Sequence, residues 1–118
     1  MIDRIQGKFI GRNKAVAYKD LVFTVATASD ENLDFEDQTL ETLKALELNL
    51  KELNSSKEHI LSAQVYITNM KNKKKMDELW CQWIGNDQKN WPQRACLGVA
   101  LEGNIQIEIT LTAIRKDI

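Results

Sequence analysis

Two side chains near the end of the chain have the chemistry of a small-molecule site. In the stretch "WPQRACLGVALEGNIQIEI", residues 91–109, Arg94 follows the only proline and Glu108 interrupts an apolar alternation. A guanidinium binds a carboxylate through two parallel hydrogen bonds, and a carboxylate can take a proton from water. The two residues therefore either form a cross-strand ion pair or face a ligand that is not part of the chain.

The hydrophobic pattern predicts the elements that carry these residues. Alternation with period two predicts two strands within 14–28, joined by a turn at Lys19 and Asp20. The same period predicts a strand within 60–70 and two more strands that finish the chain, the last over 104–114. The faces expected to be buried carry Leu61, Ala63, Val65 and Ile67 in one strand, and Ile105, Ile107, Ile109 and Leu111 in the other.

Apolar residues spaced by three and four predict two helices. The first runs from Phe35 to about Asn54 with Ser29 or Asp30 as its N-cap, and the second spans residues 72–84. The order is β-β-α-β-α-β-β, and "DRIQG" is a candidate for a short extra strand. We therefore expect an α+β fold with both helices on one face of a sheet.

The opposite face of that sheet is the second unusual feature of the pattern. It mixes small polar and apolar side chains, which makes it too apolar to lie in water and too polar for the core of a monomer. Burial against copies of the same chain satisfies both properties. The residues expected on this face are Ser62, Gln64, Tyr66, Thr110 and Thr112.

Composition limits the functional classes. The 118 residues predict a single domain, 1–118, and the net charge of −1 from 16 basic and 17 acidic residues gives no support for a nucleic-acid partner. We expect no signal peptide, no membrane span and no metal site, since two cysteines without a CxxC spacing and one histidine are too few ligands for zinc. No cofactor motif stands out. A cytoplasmic protein with reduced thiols is the default expectation.

Three motifs in order resemble the RidA/YjgF family. "PQRAC", a strand, a Gly-Asn turn and "IQIEITLTA" are similar to the family's P-x-R pattern and its final strand. "FEDQTLETLKALELNLKELNSSKEHILSAQVYITNM" resembles the family's first helix and the strand after it. "MDELWCQWI" resembles its second helix, with the aromatic pair of the less-studied subgroups rather than the founding one. The resemblance covers nearly the whole chain.

The resemblance implies a chorismate-mutase-like fold assembled as a homotrimer, with the sheets forming an inner barrel and ligand clefts between subunits. It also implies a 2-iminobutanoate/2-iminopropanoate-type deaminase, which hydrolyses 2-imino or 2-enamino acids to 2-keto acids and ammonia. In that role Arg94 binds the substrate carboxylate, the backbone of Cys96 helps to hold the ligand, and Glu108 positions the attacking water. No cofactor is needed, because an imine carbon is already electrophilic.

The chain also departs from the family pattern. Ala26 and Thr27 stand where many active members have a Gly-Gln pair, and "GRNKA" provides no aromatic residue where the founding subgroup has a tyrosine. Trp91 is either a pocket wall or a local cap. The alternative to an enzyme is a trimer of the same family that binds a small carboxylate without turnover, and ribonuclease activity ranks third.

Overall fold

The computed structural model describes residues 1–116, which form a six-stranded sheet with two helices on one side. The α+β class predicted from the hydrophobic pattern is confirmed, and "DRIQG" contributes to a first strand. Residues 117 and 118 of the predicted domain lie outside the described residues. The elements are β1 Ile2–Gln6, β2 Asn13–Tyr18, β3 Leu21–Thr27, α1 Phe35–Glu52, β4 Ile60–Ile67, α2 Lys73–Ile84, β5 Gln93–Gly98 and β6 Ile107–Ile114.

The strand order is β1-β2-β3-β6-β4-β5, so that β5 and β1 are the two edges. The β4–β5 pair is parallel and its two strands are connected by α2, whereas the other four pairs are antiparallel. The last strand of the chain therefore lies in the middle of the sheet. This order decides which predicted site residues can meet.

The core lies between the sheet and the helices. The side of the sheet that faces the helices, called the helix side here, is apolar and almost fully buried. The opposite side, called the open side, carries several large apolar residues that are more than a third exposed. The helix side contributes Ala15, Ala17, Val22, Ala63, Val65, Ile67, Ile107, Ile109, Leu111 and Ala113 to the core.

Helix α1 begins at Phe35 as expected, but its N-cap is a different residue from the two expected. Its N-cap is Asp34, whose Oδ1 accepts a hydrogen bond of 2.9 Å from the backbone N–H of Asp37. The expectation of Ser29 or Asp30 is wrong, because these residues belong to the loop before the helix, where Asp30 Oδ1 accepts from the N–H of Asn32. An aspartate at this position also complements the positive end of the helix dipole.

Two expected core positions are also wrong. Leu61 is 48% exposed, because the register of β4 against β6 shifts between Ile60 and Ser62 and turns the side chain of Leu61 out of the core. Ile60 is buried instead. Ile105 lies before β6, which begins at Ile107, and is only half-buried. A shift of one residue is enough to exchange the two faces of a strand.

Candidate functional site

Arg94 lies on the edge strand β5 and points to the helix side. Its register partner on β4 is Ala63, which in turn is opposite Leu111 on β6, and both partners are buried in the core. Residues that are opposite one another across a sheet share a face. The guanidinium of Arg94 therefore lies over the core side of the sheet and next to α2.

A compact set of side chains surrounds this guanidinium. Arg94 Nη2 donates to Asp77 Oδ1 at 2.5 Å, and Lys73 Nζ lies 2.9 Å from Asp77 Oδ2. The guanidinium carbon lies 5.4 Å from the centre of the Trp80 ring, within the range of a cation–π contact. We refer to Lys73, Asp77, Trp80 and Arg94 as the arginine cluster.

The arginine cluster has a net positive charge. It contains two cations and one carboxylate, and the side chain of Arg94 is 20% exposed. Partial burial raises the pKa of Asp77, but the hydrogen bonds from Lys73 and Arg94 outweigh it and hold that pKa below its usual value. Asp77 is therefore ionised at neutral pH. The cluster as a whole can accept one further negative charge.

Part of the hydrogen-bonding capacity of Arg94 is unused. A guanidinium has five N–H donors. Among residues 1–116, Arg94 uses Nη2 toward Asp77 and Nη1 in a weak contact of 3.7 Å to the sulfur of Met76. The side chain is thus held from one direction and keeps donors for a ligand.

Cys96 lies two residues further along β5 and on the same side of the sheet, opposite Val65. Burial raises the pKa of its thiol, although the positive charge of Arg94 acts in the opposite direction. The protonated thiol is therefore the form at neutral pH, and Cys96 is not an activated nucleophile. Because β5 is an edge strand, its outer backbone groups have no partner strand among residues 1–116 and can bind a ligand or another chain.

Glu108 lies on the open side, opposite Thr27 on β3 and Tyr66 on β4. Strand β4 separates β5 from β6, and Glu108 is level with Leu97 rather than with Arg94. Two strand spacings and three residues of rise separate the backbones of Arg94 and Glu108 by about 14 Å. The cross-strand ion pair offered by the sequence is therefore wrong, since Arg94 pairs with Asp77 instead.

Ala26 and Thr27 line a cleft of about 460 Å³ on the opposite half of the molecule. Its walls are the β1–β2 loop and α1, and the β1–β2 loop contributes Phe9, which is covered by the guanidinium of Arg12 at 4.4 Å. The stretch "GRNKA" itself supplies no aromatic residue to this cleft, but Phe9 does. Phe9 lies outside the "GRNKA" stretch in sequence and reaches the cleft because the loop folds back.

Trp91 forms a local contact. Its indole N–H donates to the carbonyl of Gly85 at 2.9 Å and closes the loop between α2 and β5. Gly85 itself ends α2 with a positive φ of 93°, a conformation that favours glycine. The local-cap interpretation of Trp91 thus has a contact in the structure, and a ligand contact from Trp91 stays a prediction.

Known proteins resemble this chain over most of its length. A family model described as Endoribonuclease L-PSP matches residues 12–115. A "RutC family protein" of Haemophilus ducreyi is 33% identical over 92 residues, which cover 77% of this chain and 77% of that protein. The chain belongs to the RidA/YjgF family.

Solved structures of RidA/YjgF proteins share the whole fold. A YjgF-family protein of Neisseria meningitidis superposes with a TM-score of 0.90 at 26% identity, covering 100% of this chain and 98% of that one. A member of the same family from Mycobacterium tuberculosis gives a TM-score of 0.85 at 20% identity over 97% and 99% of the two chains, a likeness of fold. The predicted family and fold class are thereby confirmed.

Asp77 and Lys73 are the site residues that sequence reasoning missed in this RidA/YjgF chain. Asp77 lies three residues before Trp80 on α2, so that both side chains lie on the helix surface above β5. A carboxylate beside the apolar stripe of α2 was the available signal. The sequence does not reveal the partner of Asp77, because Arg94 is 17 residues away. The two side chains meet only because the parallel β4–β5 pairing places β5 beside α2.

Residues 1–116 lack two further features. No group of three or more His, Cys, Asp or Glu side chains is arranged to hold a metal ion there. In the same range, neither helix has the length and apolar character that a membrane span requires.

Proposed function

We propose that this protein hydrolyses reactive 2-imino and 2-enamino acids to 2-keto acids and ammonia. The arginine cluster carries this proposal, since it is a half-buried, positively charged group with free N–H donors on an edge strand. A planar guanidinium held by Asp77 from one direction is oriented to bind a carboxylate through two parallel hydrogen bonds. A 2-imino acid carries that carboxylate next to its reactive carbon.

The reaction balances with water as the only co-substrate. Water adds to the carbon of the C=N bond while Glu108 accepts one of its protons, and the nitrogen is protonated to an amine. The carbon–nitrogen bond then breaks, ammonia leaves, and the remaining hydroxyl becomes the carbonyl of the 2-keto acid. A 2-enamino acid first gains a proton on its terminal carbon and loses one from its nitrogen to become the imine. Positioning of the carboxylate and one general base are sufficient for this sequence of steps.

The proposed site needs two copies of the chain. Arg94 and Cys96 lie on the helix side at one edge, whereas Glu108 and Thr27 lie on the open side, so one copy cannot bring them together. We propose that Arg94 and Cys96 of one copy meet Ala26, Thr27 and Glu108 of a neighbour in a homotrimer. The exposed apolar residues of the open side support this assembly, because contact between copies would cover Tyr18, Phe23 and Leu97.

The experiment that tests the proposal measures ammonia release while an amino-acid oxidase produces 2-imino acids in situ, in the presence of catalase. The protein should accelerate release above the spontaneous rate, and dialysis against a chelator should leave that acceleration unchanged. The variant Arg94→Ala is the matched control and should match the rate without protein. If the unmodified protein does not accelerate release, deamination of these substrates is excluded.

The alternative is a trimer that binds small carboxylates without turnover, and the same free donors of Arg94 support it. Calorimetry with pyruvate, the stable 2-keto acid product of 2-iminopropanoate hydrolysis, separates the two. Binding of pyruvate that depends on Arg94, without any acceleration of ammonia release, would establish the binding protein. The matching family model is described as an endoribonuclease, and we do not propose that activity for this protein.

A further inference from the structure

The cleft beside Ala26 and Thr27 has a chemistry of its own that the arginine cluster does not use. It lies between the β1–β2 loop and α1, and its volume of about 460 Å³ is in the range of small-molecule pockets. Apolar groups form most of its walls, and its charged residues lie at the rim. The apolar lining residues are Phe9, Val25, Ala26, Ala28, Ala45 and Leu48.

Of the four charged residues that line the cleft, Lys14 and Glu52 form an ion pair, whereas Lys8 and Arg12 both lie over the ring of Phe9 and add positive charge at the rim. Lys14 Nζ lies 3.1 Å from Glu52 Oε1, and Arg12 stacks on the ring of Phe9. Both arrangements keep charge at the mouth of the cleft, where water screens it. The interior is therefore suited to an uncharged group, because a charge placed there would lose its hydration without gaining a buried partner.

Among the polar side chains that line the cleft, Asn49 is the buried one. Asn49 lines it and is only 4% exposed, and its Nδ2 donates to Thr24 Oγ1 at 3.0 Å. The Thr24 hydroxyl gives its single hydrogen to the carbonyl of Lys14 at 2.8 Å, so it can only accept from Asn49. This fixes the amide orientation and directs the Oδ1 oxygen of Asn49 elsewhere.

The carbonyl oxygen of Asn49 has no hydrogen-bond partner among residues 1–116. The same residues contain no fully buried polar side-chain atom without a partner, so that oxygen keeps contact with the space of the cleft. An acceptor in contact with the cleft can take a hydrogen bond from a ligand that supplies an N–H or O–H group in place of water. The acceptor thus adds one specific requirement to an otherwise apolar site.

We propose that this cleft binds the side chain of the substrate and selects large neutral side chains that carry a hydrogen-bond donor. This inference rests on the proposed function, since the carboxylate of the same molecule lies on Arg94 of a neighbouring copy. The donor at the end of the side chain bonds to Asn49 Oδ1, and the apolar part packs against Phe9 and Leu48. Small substrates, such as the imine of alanine, leave the cleft unfilled.

A pair of stable product analogues tests the proposal without any need for turnover. 4-Hydroxyphenylpyruvate and phenylpyruvate differ by one hydroxyl group, and calorimetry should give about 10-fold tighter binding for the former, as a hydrogen bond to a buried acceptor implies. Both should bind more tightly than pyruvate. Equal affinity for the two aromatic acids would overturn the role of Asn49, and tighter binding of pyruvate would overturn the cleft as the side-chain site.

A variant that fills the cleft gives the second test. Ala45 lies on the wall that α1 contributes, so Ala45→Phe should weaken 4-hydroxyphenylpyruvate binding at least about 10-fold and leave pyruvate binding unchanged. Lys44→Phe is the matched control, because Lys44 is the neighbouring exposed residue outside the cleft lining. Equal losses for both acids would contradict the inference.

These measurements keep failure of the inference distinct from failure of the proposed function. If no imine is hydrolysed but the aromatic acids bind in the predicted order, the cleft is confirmed and the catalytic role is excluded. If imines are hydrolysed at rates that do not depend on side-chain size or on Ala45→Phe, the catalytic role stands and the inference about the cleft is wrong.

Discussion

The guanidinium of Arg94 is paired with the carboxylate of Asp77 on α2, at 2.5 Å between Nη2 and Oδ1. The pair joins the edge strand to the helix of the β4–β5 crossover. It replaces the pairing between Arg94 and Glu108 that the sequence offered as one of two interpretations. Because Lys73 neutralises the second oxygen of Asp77, the pair leaves Arg94 with charge for a ligand.

Arg94→Lys tests whether the planar guanidinium matters beyond its charge. A lysine keeps one positive charge but cannot form two parallel hydrogen bonds, so we expect kcat/KM for imine hydrolysis to fall about 10²-fold. The melting temperature and the oligomeric state should stay near those of the parent. Turnover like that of the parent would leave Arg94 as a sheet-edge residue only.

Asp77→Asn tests the positioning role of Asp77. The amide still offers an oxygen to Arg94 but no charge, so the guanidinium is less firmly held. We therefore expect KM to rise about 10-fold and kcat to change less. Asp77→Glu restores the charge and should recover part of this loss. If Asp77→Asn changes only the melting temperature, the contact is structural.

The pH dependence of stability gives an independent measure of the same pair. The pKa of Asp77 is lower in the folded state than the ordinary value of about 3.9, so its contribution is present above that value and is lost as pH falls through the folded-state pKa. Since Asp77 and Arg94 are both partly exposed, we expect the pair to contribute about 0.5 kcal/mol to the free energy of unfolding. Urea unfolding at pH 6 and pH 3 measures this contribution. The free energy of unfolding should decrease less between the two pH values in Asp77→Asn than in the parent.

Glu108→Gln separates binding from catalysis. The amide accepts a hydrogen bond but cannot take a proton from water, so pyruvate binding should persist while turnover falls about 10²- to 10⁴-fold. An equimolar mixture of Glu108→Gln and Arg94→Ala subunits, unfolded and refolded together, should regain activity at about one quarter of its sites. Recovery requires that the two residues come from different copies, and a mixture that stays inactive would place them in one copy.

Substitution on the open side tests the assembly. Light scattering of the parent should give about three times 13.5 kDa. Phe23→Glu places a charge on the face proposed to be buried, so we expect it to dissociate the trimer and abolish turnover. Leu40→Glu is the matched control, since Phe23 and Leu40 are both 46% exposed but Leu40 lies on α1. A parent protein that is a monomer would exclude the proposed site.

Some of the structure was predictable from short-range patterns. The alternation of Ile107, Ile109 and Leu111 predicted the central strand, and the stripe of Leu43, Leu46 and Leu50 predicted α1, because burial of one face imposes the period of the element. Leu61 was misplaced, since a bulge has no signature in the alternation itself. The N-cap was misplaced because Ser29, Asp30 and Asp34 are all competent caps.

The sequence by itself determined the family, the order of elements and the residue types of the site. Those features follow from local periodicity and from motifs whose members are near in the chain, such as Arg94 and Cys96. Only the tertiary structure decided which of these side chains contact one another. Strand order inserts β4 between the strands of Arg94 and Glu108, the parallel crossover brings Asp77 onto Arg94, and the folded β1–β2 loop carries Phe9 to the cleft opposite Asn49. Contacts between residues distant in sequence depend on how strands pair and which faces they bury, and no local pattern encodes that choice.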